Sequence, residues 1–215
     1  MTRTLSTLFL IPLALASCQS TAAVTRLPAE AALEIGFTES DVEVARLPAI
    51  EIPVERLEIE RVEGSRVSFV LPGRPSDVRD MLLDFEGANG RREWCERYKA
   101  VSFEENTATA IWYFKRYKIF KPVVTLLYEI RNEQDGDRIY IDFRAKEPVP
   151  GVAALFGDYQ LYALEGQPDE TLMRAQVFID TGFPIGVSEE DMADGLRTDA
   201  SNLRDWIRER LALEL

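Results

Sequence analysis

The sequence predicts an α+β domain in which an antiparallel sheet of about seven strands packs on a long C-terminal helix, with two short helices after the first strand. Two observations predict it. Between residues 98 and 180, six runs alternate apolar with polar residues and are separated by turn signals, which is typical of antiparallel strands with one buried face. From Ser188 onward, apolar residues recur at spacings of three and four, which is typical of a helix with one apolar stripe.

The first 17 residues have the layout of a secretory signal peptide. Arg3 precedes an apolar stretch, and small residues lead into Cys18. The stretch is shorter than the roughly 20 residues that cross a bilayer, which argues against a permanent transmembrane helix. Residues 15–18, LASC, resemble the lipobox of bacterial lipoproteins, which implies that Cys18 receives acyl chains such as palmitate and becomes the first mature residue. The alternative is an ordinary signal peptide with a chance cysteine.

The lipoprotein resemblance also implies an exported protein that is lipid-anchored to the cell envelope. Gln19, rather than an aspartate, follows the cysteine, which implies sorting to the outer membrane, facing the periplasm, in a cell with two membranes. Residues 18–54 are rich in Ala, Thr, Glu and Pro, and three prolines interrupt any long helix. We therefore predict a lipidated cysteine and flexible tether over 18–54, and a folded domain over 55–215.

The composition excludes several classes of function. The chain has 37 acidic and 25 basic residues, a formal net charge of −12, and such a surface repels nucleic acid. The absence of histidine excludes Ser-His-Asp and Cys-His catalysis and histidine-ligated metals. With Cys18 acylated, Cys95 has no disulfide partner, and we interpret it as a buried small hydrophobe. No catalytic residue, metal or cofactor is predicted.

The other elements follow in order along the chain. Residues 54–73 hold two alternating runs, which predict either one long bent strand or a hairpin through Gly64. Pro75 begins a helix that 87–90 ends, and a second short helix is expected over 91–96. The final helix begins at Ser188, an N-cap before three acidic residues, and runs to about Leu213. The six strands between these helices are predicted at 98–104, 107–117, 123–131, 138–146, 158–164 and 171–180.

Alternation assigns one face of each strand to the core. On strand 138–146 the inward residues are Ile139, Ile141, Phe143 and Ala145. On strand 171–180 they are Met173, Ala175, Val177 and Ile179, with Arg174 and Gln176 pointing outward. On the less regular strands we assign Trp112, Phe114, Leu126, Tyr128, Tyr159 and Leu161. The helix stripe expected to cover this face is Met192, Leu196, Ala200, Leu203, Ile207 and Leu211.

This order of elements, together with two local segments, resembles the helix-grip fold of the START-like (SRPBCC, Bet v 1-like) superfamily. REWCERYKAVSFEE is similar to that family's second helix running into its next strand, and ETLMRAQVFIDTGFPIG is similar to its last strand and the turn into the final helix. The GFPIG turn matches the family's glycine-rich turn only in part. The resemblance covers about 56–213. It implies a curved sheet that grips the helix and an elongated apolar cavity for a lipid or another hydrophobic molecule.

A bent sheet cannot pack flat on a straight helix, so the gap between them holds either a ligand or large side chains. In the first case the inward residues line a ligand site; in the second the same aromatics simply fill the core. The candidate ligand-binding residues are Trp112, Phe114, Leu126, Tyr128, Ile141, Phe143, Tyr159, Leu161, Val177, Ile179, Met192 and Leu196.

A basic cluster interrupts this acidic sequence at 115–121, KRYKIFK, which holds three of the five lysines. We interpret it as a strand-to-strand loop whose cations meet anionic headgroups while its apolar residues enter a bilayer. A solvated turn that protects a sheet edge is the alternative. The candidate membrane-contact residues are Lys115, Lys118, Ile119, Phe120 and Lys121. The apolar stretch 147–157 is interpreted either as a lid over the cavity or as a packed connection.

Taken together, the residues and the resemblance predict a membrane-anchored domain that binds or transfers a hydrophobic molecule, a lipid above all. The expected partners are that molecule and the membrane, and a protein partner is left open. One alternative is an envelope scaffold with a filled core. Another is an enzyme on a hydrophobic substrate, with Asp142, Asp158 or Asp180 as its acid or base. Asp142 and Arg144 alternate with the apolar face, so we expect a surface pair there and no enzymatic activity.

Overall fold

The structure, a computed structural model, describes residues 38–60, 62–91, 94–116, 120–133, 137–181 and 189–213. The signal peptide, Cys18 and the tether as far as residue 37 lie outside these ranges. The elements are α1 (Glu39–Ala45), a 3₁₀ turn (Ala49–Glu51), β1 (Glu55–Ile59), β2 (Val62–Pro72), α2 (Pro75–Leu83), β3 (Cys95–Glu104), β4 (Thr107–Phe114), β5 (Val123–Glu133), β6 (Arg138–Ala145), β7 (Ala154–Leu164), β8 (Gln167–Asp180) and α3 (Glu189–Leu213).

One antiparallel sheet holds all eight described strands, in the order β1-β2-β8-β7-β6-β5-β4-β3. The sheet is curved, and its inner face meets α2 and the apolar stripe of α3 in the main hydrophobic core. Ala200, Leu203 and Ile207 of that stripe are all buried, as the helical spacing predicts. The predicted α+β class, with an antiparallel sheet and a long C-terminal helix, is confirmed.

The count of about seven strands becomes eight because residues 54–73 form a hairpin. Its turn follows Ile59, where Glu60 has a φ of 47°, and the chain resumes in β2 at Val62. Gly64, which the hairpin alternative placed at the turn, lies inside β2 opposite Leu57. A Cβ at this position would overlap the ring of Phe178, so the glycine permits a close approach and does not make the turn.

The prediction of a second short helix over 91–96 is wrong. Residues 85–91 form a series of turns, and β3 already begins at Cys95. Side chains hold the turns in place: Asp84 Oδ1 accepts the Gly87 N–H at 2.9 Å, and Asn89 Oδ1 accepts the Tyr98 N–H at 2.6 Å. Hydrogen bonds from Asp and Asn side chains to nearby backbone, such as that between Asp84 and Gly87, compete with helix formation.

The boundary between tether and domain, expected at 54/55, is also displaced in the described residues. Helix α1 begins with a capping box, in which Thr38 and Asp41 exchange side-chain and backbone hydrogen bonds. Ala45 and Ile52 are 0% and 1% exposed. Arg46 bonds Glu170 Oε1 at 3.0 Å across to β8. Residues 38–54 are therefore part of the folded body.

The outer face of the sheet carries a buried polar cluster where β2, β8 and β7 adjoin. Arg174 and Gln176 point outward as predicted, yet they are only 6% and 1% exposed. Beside them Gln160 Nε2 donates to Asp158 Oδ2 at 2.8 Å, and the Tyr162 hydroxyl donates to Gln160 Oε1 at 2.8 Å. Burial raises the pKa of Asp158 to about 6, and the hydrogen bond from Gln160 opposes that shift.

Candidate functional site

A cavity of about 340 Å³ lies between the inner face of the sheet and α3. Small residues leave room for it: Ala175 on β8 and Gly195 and Ala200 on the helix all line the space. A Cβ built on Gly195 would meet no described heavy atom within 4 Å beyond its chain neighbours and the adjacent helix backbone, so the helix backbone here borders open space. Glycine inside a helix is less stable than alanine by about 1 kcal/mol, and no backbone requirement explains it here.

Aromatic side chains form the wall opposite the helix. Phe143 on β6 and Tyr159 on β7 stand together with ring centroids 5.1 Å apart. At the other side of the cavity Trp94 packs on Trp112 and Phe114, with centroid separations of 5.3 and 5.2 Å. The lining is predominantly apolar, which suits a ligand whose surface is mostly hydrocarbon.

The cavity is closed at one end and open at the other. Along α3, Asp191 is exposed, Met192 and Gly195 are half-buried, and Leu196 and Leu203 are buried. From Asp191 to Leu203 the helix rises about 18 Å at 1.5 Å per residue. The cavity is therefore elongated, with its open end at the start of α3.

Of the twelve candidate ligand-binding residues, eight line this cavity: Trp112, Phe114, Phe143, Tyr159, Val177, Ile179, Met192 and Leu196. The other four, Leu126, Tyr128, Ile141 and Leu161, do not line it; they are buried core on the same face of the sheet. Phe85, which follows α2, explains the case of Tyr128, because its ring packs on the Tyr128 ring at 5.0 Å. Strand alternation shows which face a residue occupies, but it does not show which part of that face another element covers.

Several lining residues were missed. Val67 and Phe69 come from β2, whose pairing beside β8 the sequence does not show. Trp94 was assigned to a helix that does not form. The signal that could have been used is Gly195, a glycine placed between Met192 and Leu196 on an otherwise regular amphipathic helix.

The described residues of the basic cluster 115–121 have different surroundings in the structure. Lys118 and Ile119 lie outside the described residues. Lys115 lines the open end of the cavity, whereas Lys121 pairs with Glu96 Oε2 at 2.9 Å. Phe120 is half-buried over Gly151, where an added Cβ would come within 2.9 Å of its side chain.

The stretch 147–157 forms part of the cavity wall. Val152, which is 3% exposed, lines the cavity together with Gly151 and Leu155. A short bridge between Val149 and Val152 folds the stretch, and β7 begins within it at Ala154.

Polar chemistry near the cavity differs from the acids considered above. Asp142 and Asp158 form a cross-strand pair on the outer face of the sheet, away from the cavity. The acids that line the cavity are Asp191 and Asp199 on α3. In the described ranges, no three His, Cys, Asp or Glu side chains are grouped as a metal site would need. No described helix has the length and apolar character needed to span a bilayer.

The curved antiparallel sheet, the terminal helix laid along its inner face and the elongated cavity between them define the helix-grip architecture of START-like domains, which the resemblance implied. The sequence itself matches no protein-family model and no curated protein. The assignment to this fold therefore depends on three-dimensional similarity.

Among similar solved structures is a STAR-related lipid transfer protein from Xanthomonas axonopodis, at 13% identity and a TM-score of 0.58, covering 73% of this chain and 93% of that one. Human StAR-related lipid transfer protein 5 has 13% identity and a TM-score of 0.55, covering 74% and 83%. The Zhui aromatase/cyclase from Streptomyces sp. R1128 has 11% identity and a TM-score of 0.52, covering 74% and 96%. At these identities the likeness shows the fold.

Proposed function

We propose that this protein binds a hydrophobic small molecule, a lipid, in the cavity between the sheet and α3. The observation that carries the proposal is the cavity itself, about 340 Å³ of apolar space in the interior. The cavity opens to solvent, so its apolar lining is in contact with water unless a hydrophobic ligand covers it, and covering apolar surface is favourable. Lipid transfer by proteins that share the fold supports the same proposal. A filled scaffold core does not account for such a void.

Filling the cavity from Gly195 tests the proposal directly. We expect Gly195→Leu to lower the amount of co-purifying lipid at least 10-fold, because its side chain enters the space that the ligand needs. The same change should leave the melting temperature equal or higher, since leucine favours helix over glycine by about 0.8 kcal/mol. The measurement is native mass spectrometry of the purified full chain, followed by organic extraction and lipid analysis.

Gly195→Ala is the matched control, because it gives most of the gain in helix propensity but adds only a methyl group. It should retain most of the bound lipid. If wild-type protein and both variants carry no extractable molecule and bind no added lipid, the cavity is not a ligand site.

The proposal includes a membrane anchor at Cys18 and a location on the periplasmic side of the outer membrane. The LASC sequence and Gln19 support it. Two or three acyl chains hold a protein on a bilayer far longer than one chain does. We expect Cys18→Ala to abolish incorporation of labelled palmitate and to move the protein from the membrane to the soluble fraction. Labelling that persists in the variant would contradict the anchor.

An enzyme acting on a hydrophobic substrate is the second candidate, and Asp191 and Asp199 beside the cavity favour it. A fold neighbour that is an aromatase/cyclase shows that this architecture also supports bond chemistry. Two measurements separate the candidates. An enzyme converts its substrate, and Asp199→Asn should reduce turnover without reducing ligand binding. A carrier returns the extracted molecule unchanged.

A further inference from the structure

Two cations stand at the open end of the cavity. Lys115 and Arg116 directly follow β4, line the cavity and are exposed to solvent. No carboxylate in the described part of the chain pairs with either side chain, in contrast to Lys121, which is paired with Glu96. Two uncompensated positive charges are therefore placed where a ligand enters.

Three other charged residues also line the cavity: Arg91, Asp191 and Asp199. Each of them has interactions of its own in the described structure. The chain as a whole carries a formal charge of −12, so its long-range field attracts cations and repels anions. An anion is thus favoured only locally, beside Lys115 and Arg116.

Apolar side chains lie beside these two cations. Phe114 precedes the two cations on the same strand end, and Trp94 lies 5.2 Å from it, ring centroid to centroid. The Lys115 backbone N–H donates to the Trp94 carbonyl at 3.0 Å, which fixes the start of the cationic segment against this aromatic wall. An amphiphile bound here can keep its head beside these solvent-exposed cations while its chain leaves water for the apolar cavity.

We infer that the ligand is a single-chain amphiphile with an anionic head, a carboxylate or a phosphate, which contacts Lys115 and Arg116 while its chain lies along α3. The inference rests on the proposed function and narrows its ligand class. The dimensions fit one chain: the cavity follows α3 for about 18 Å, and its volume of about 340 Å³ is near the lower limit for small-molecule sites.

The test compares three ligands of equal chain length: myristate, tetradecyl phosphate and the uncharged tetradecanol. Binding is measured by calorimetry and by the fluorescence of Trp94 and Trp112, which line the cavity. Every arm uses the full chain with Cys18→Ala, so that no acyl group of the protein itself competes. We expect at least one anionic ligand to bind about 5- to 20-fold more tightly than the alcohol, and added salt to reduce that advantage.

The double variant Lys115→Gln/Arg116→Gln should remove the advantage and leave tetradecanol binding within about two-fold of the parent. A matched control, Lys99→Gln/Arg208→Gln, removes two positive charges from exposed positions outside the cavity and should change neither. The preferred anion distinguishes a fatty acid from a phosphate lipid.

Two results overturn the inference in different ways. Equal binding of all three ligands, or undiminished anion binding by the double variant, refutes the anionic head but leaves hydrophobic-ligand binding intact. Failure of all three ligands to bind refutes the proposed function as well.

Discussion

Replacing Arg204 by methionine is expected to lower the free energy of unfolding by about 2–4 kcal/mol, because it leaves three backbone carbonyls without their donor. Arg204 is 8% exposed and donates to Val70 O at 3.0 Å, Leu47 O at 2.7 Å and Ala45 O at 2.6 Å. Its guanidinium thereby joins α3 to β2 and to the segment after α1. Burial lowers the pKa of this group below its ordinary value.

Urea titration of the variant measures the loss, and amide hydrogen exchange locates it. Exchange should accelerate first in α1, whose last residue is held by this side chain. Arg208→Met, one turn further along α3, is the control. Arg208 is 65% exposed and its ion pair within the described residues is with the equally exposed Asp205, so its loss should stay within about 0.5 kcal/mol. Equal effects of the two substitutions would show that the three carbonyl contacts contribute nothing.

The second large effect is a pH dependence centred on Asp158, which is 0% exposed. Its pKa rises from 3.8 to about 6 in the folded protein, so between these values the folded state binds more protons than the unfolded state. Stability from this group is therefore present below pH 4 and is lost as the pH rises through 6. The loss is about 3 kcal/mol at 1.36 kcal/mol per pKa unit.

Asp158→Asn should remove that dependence, because an amide does not titrate in this pH range. The neutral amide oxygen can still accept the Gln160 hydrogen bond. Chemical denaturation at pH 4.5 and 7.5 measures the outcome, and the variant should gain on the wild type as the pH increases. Asp169→Asn is the control, because it removes a carboxylate from a side chain that is 85% exposed. A gap between Asp158→Asn and wild type that does not change with pH would contradict the burial of a titrating carboxyl.

The sequence predicts elements well where a single periodicity persists. β6 and α3 have nearly their predicted bounds, because alternation in the one and spacings of three and four in the other continue for the full element. The failures occur where side-chain hydrogen bonds decide the conformation. In the turns after α2, Asp84 accepts the Gly87 N–H three residues later, whereas Asn89 accepts the Tyr98 N–H of β3, a contact that periodicity does not show.

The candidate site was predicted in part for the same physical reason. Alternation identified the inner face of the sheet, and Phe143, Tyr159 and Val177, which it assigned to that face, line the cavity. It could not show that Phe85 covers Tyr128 or that β2 brings Phe69 to the cavity. Both facts depend on contacts between elements distant in sequence, and periodicity has no information about them.

Gly195 has a consequence for how this lineage can vary. Most substitutions of Gly195 would raise the helix propensity of α3 and would also place a side chain in the open space beside it. Selection for stability alone would therefore tend to fill the cavity. Under the proposed function, homologues that bind a ligand are expected to keep glycine or another small residue at this position, and homologues with a bulky side chain here are expected to have a filled cavity.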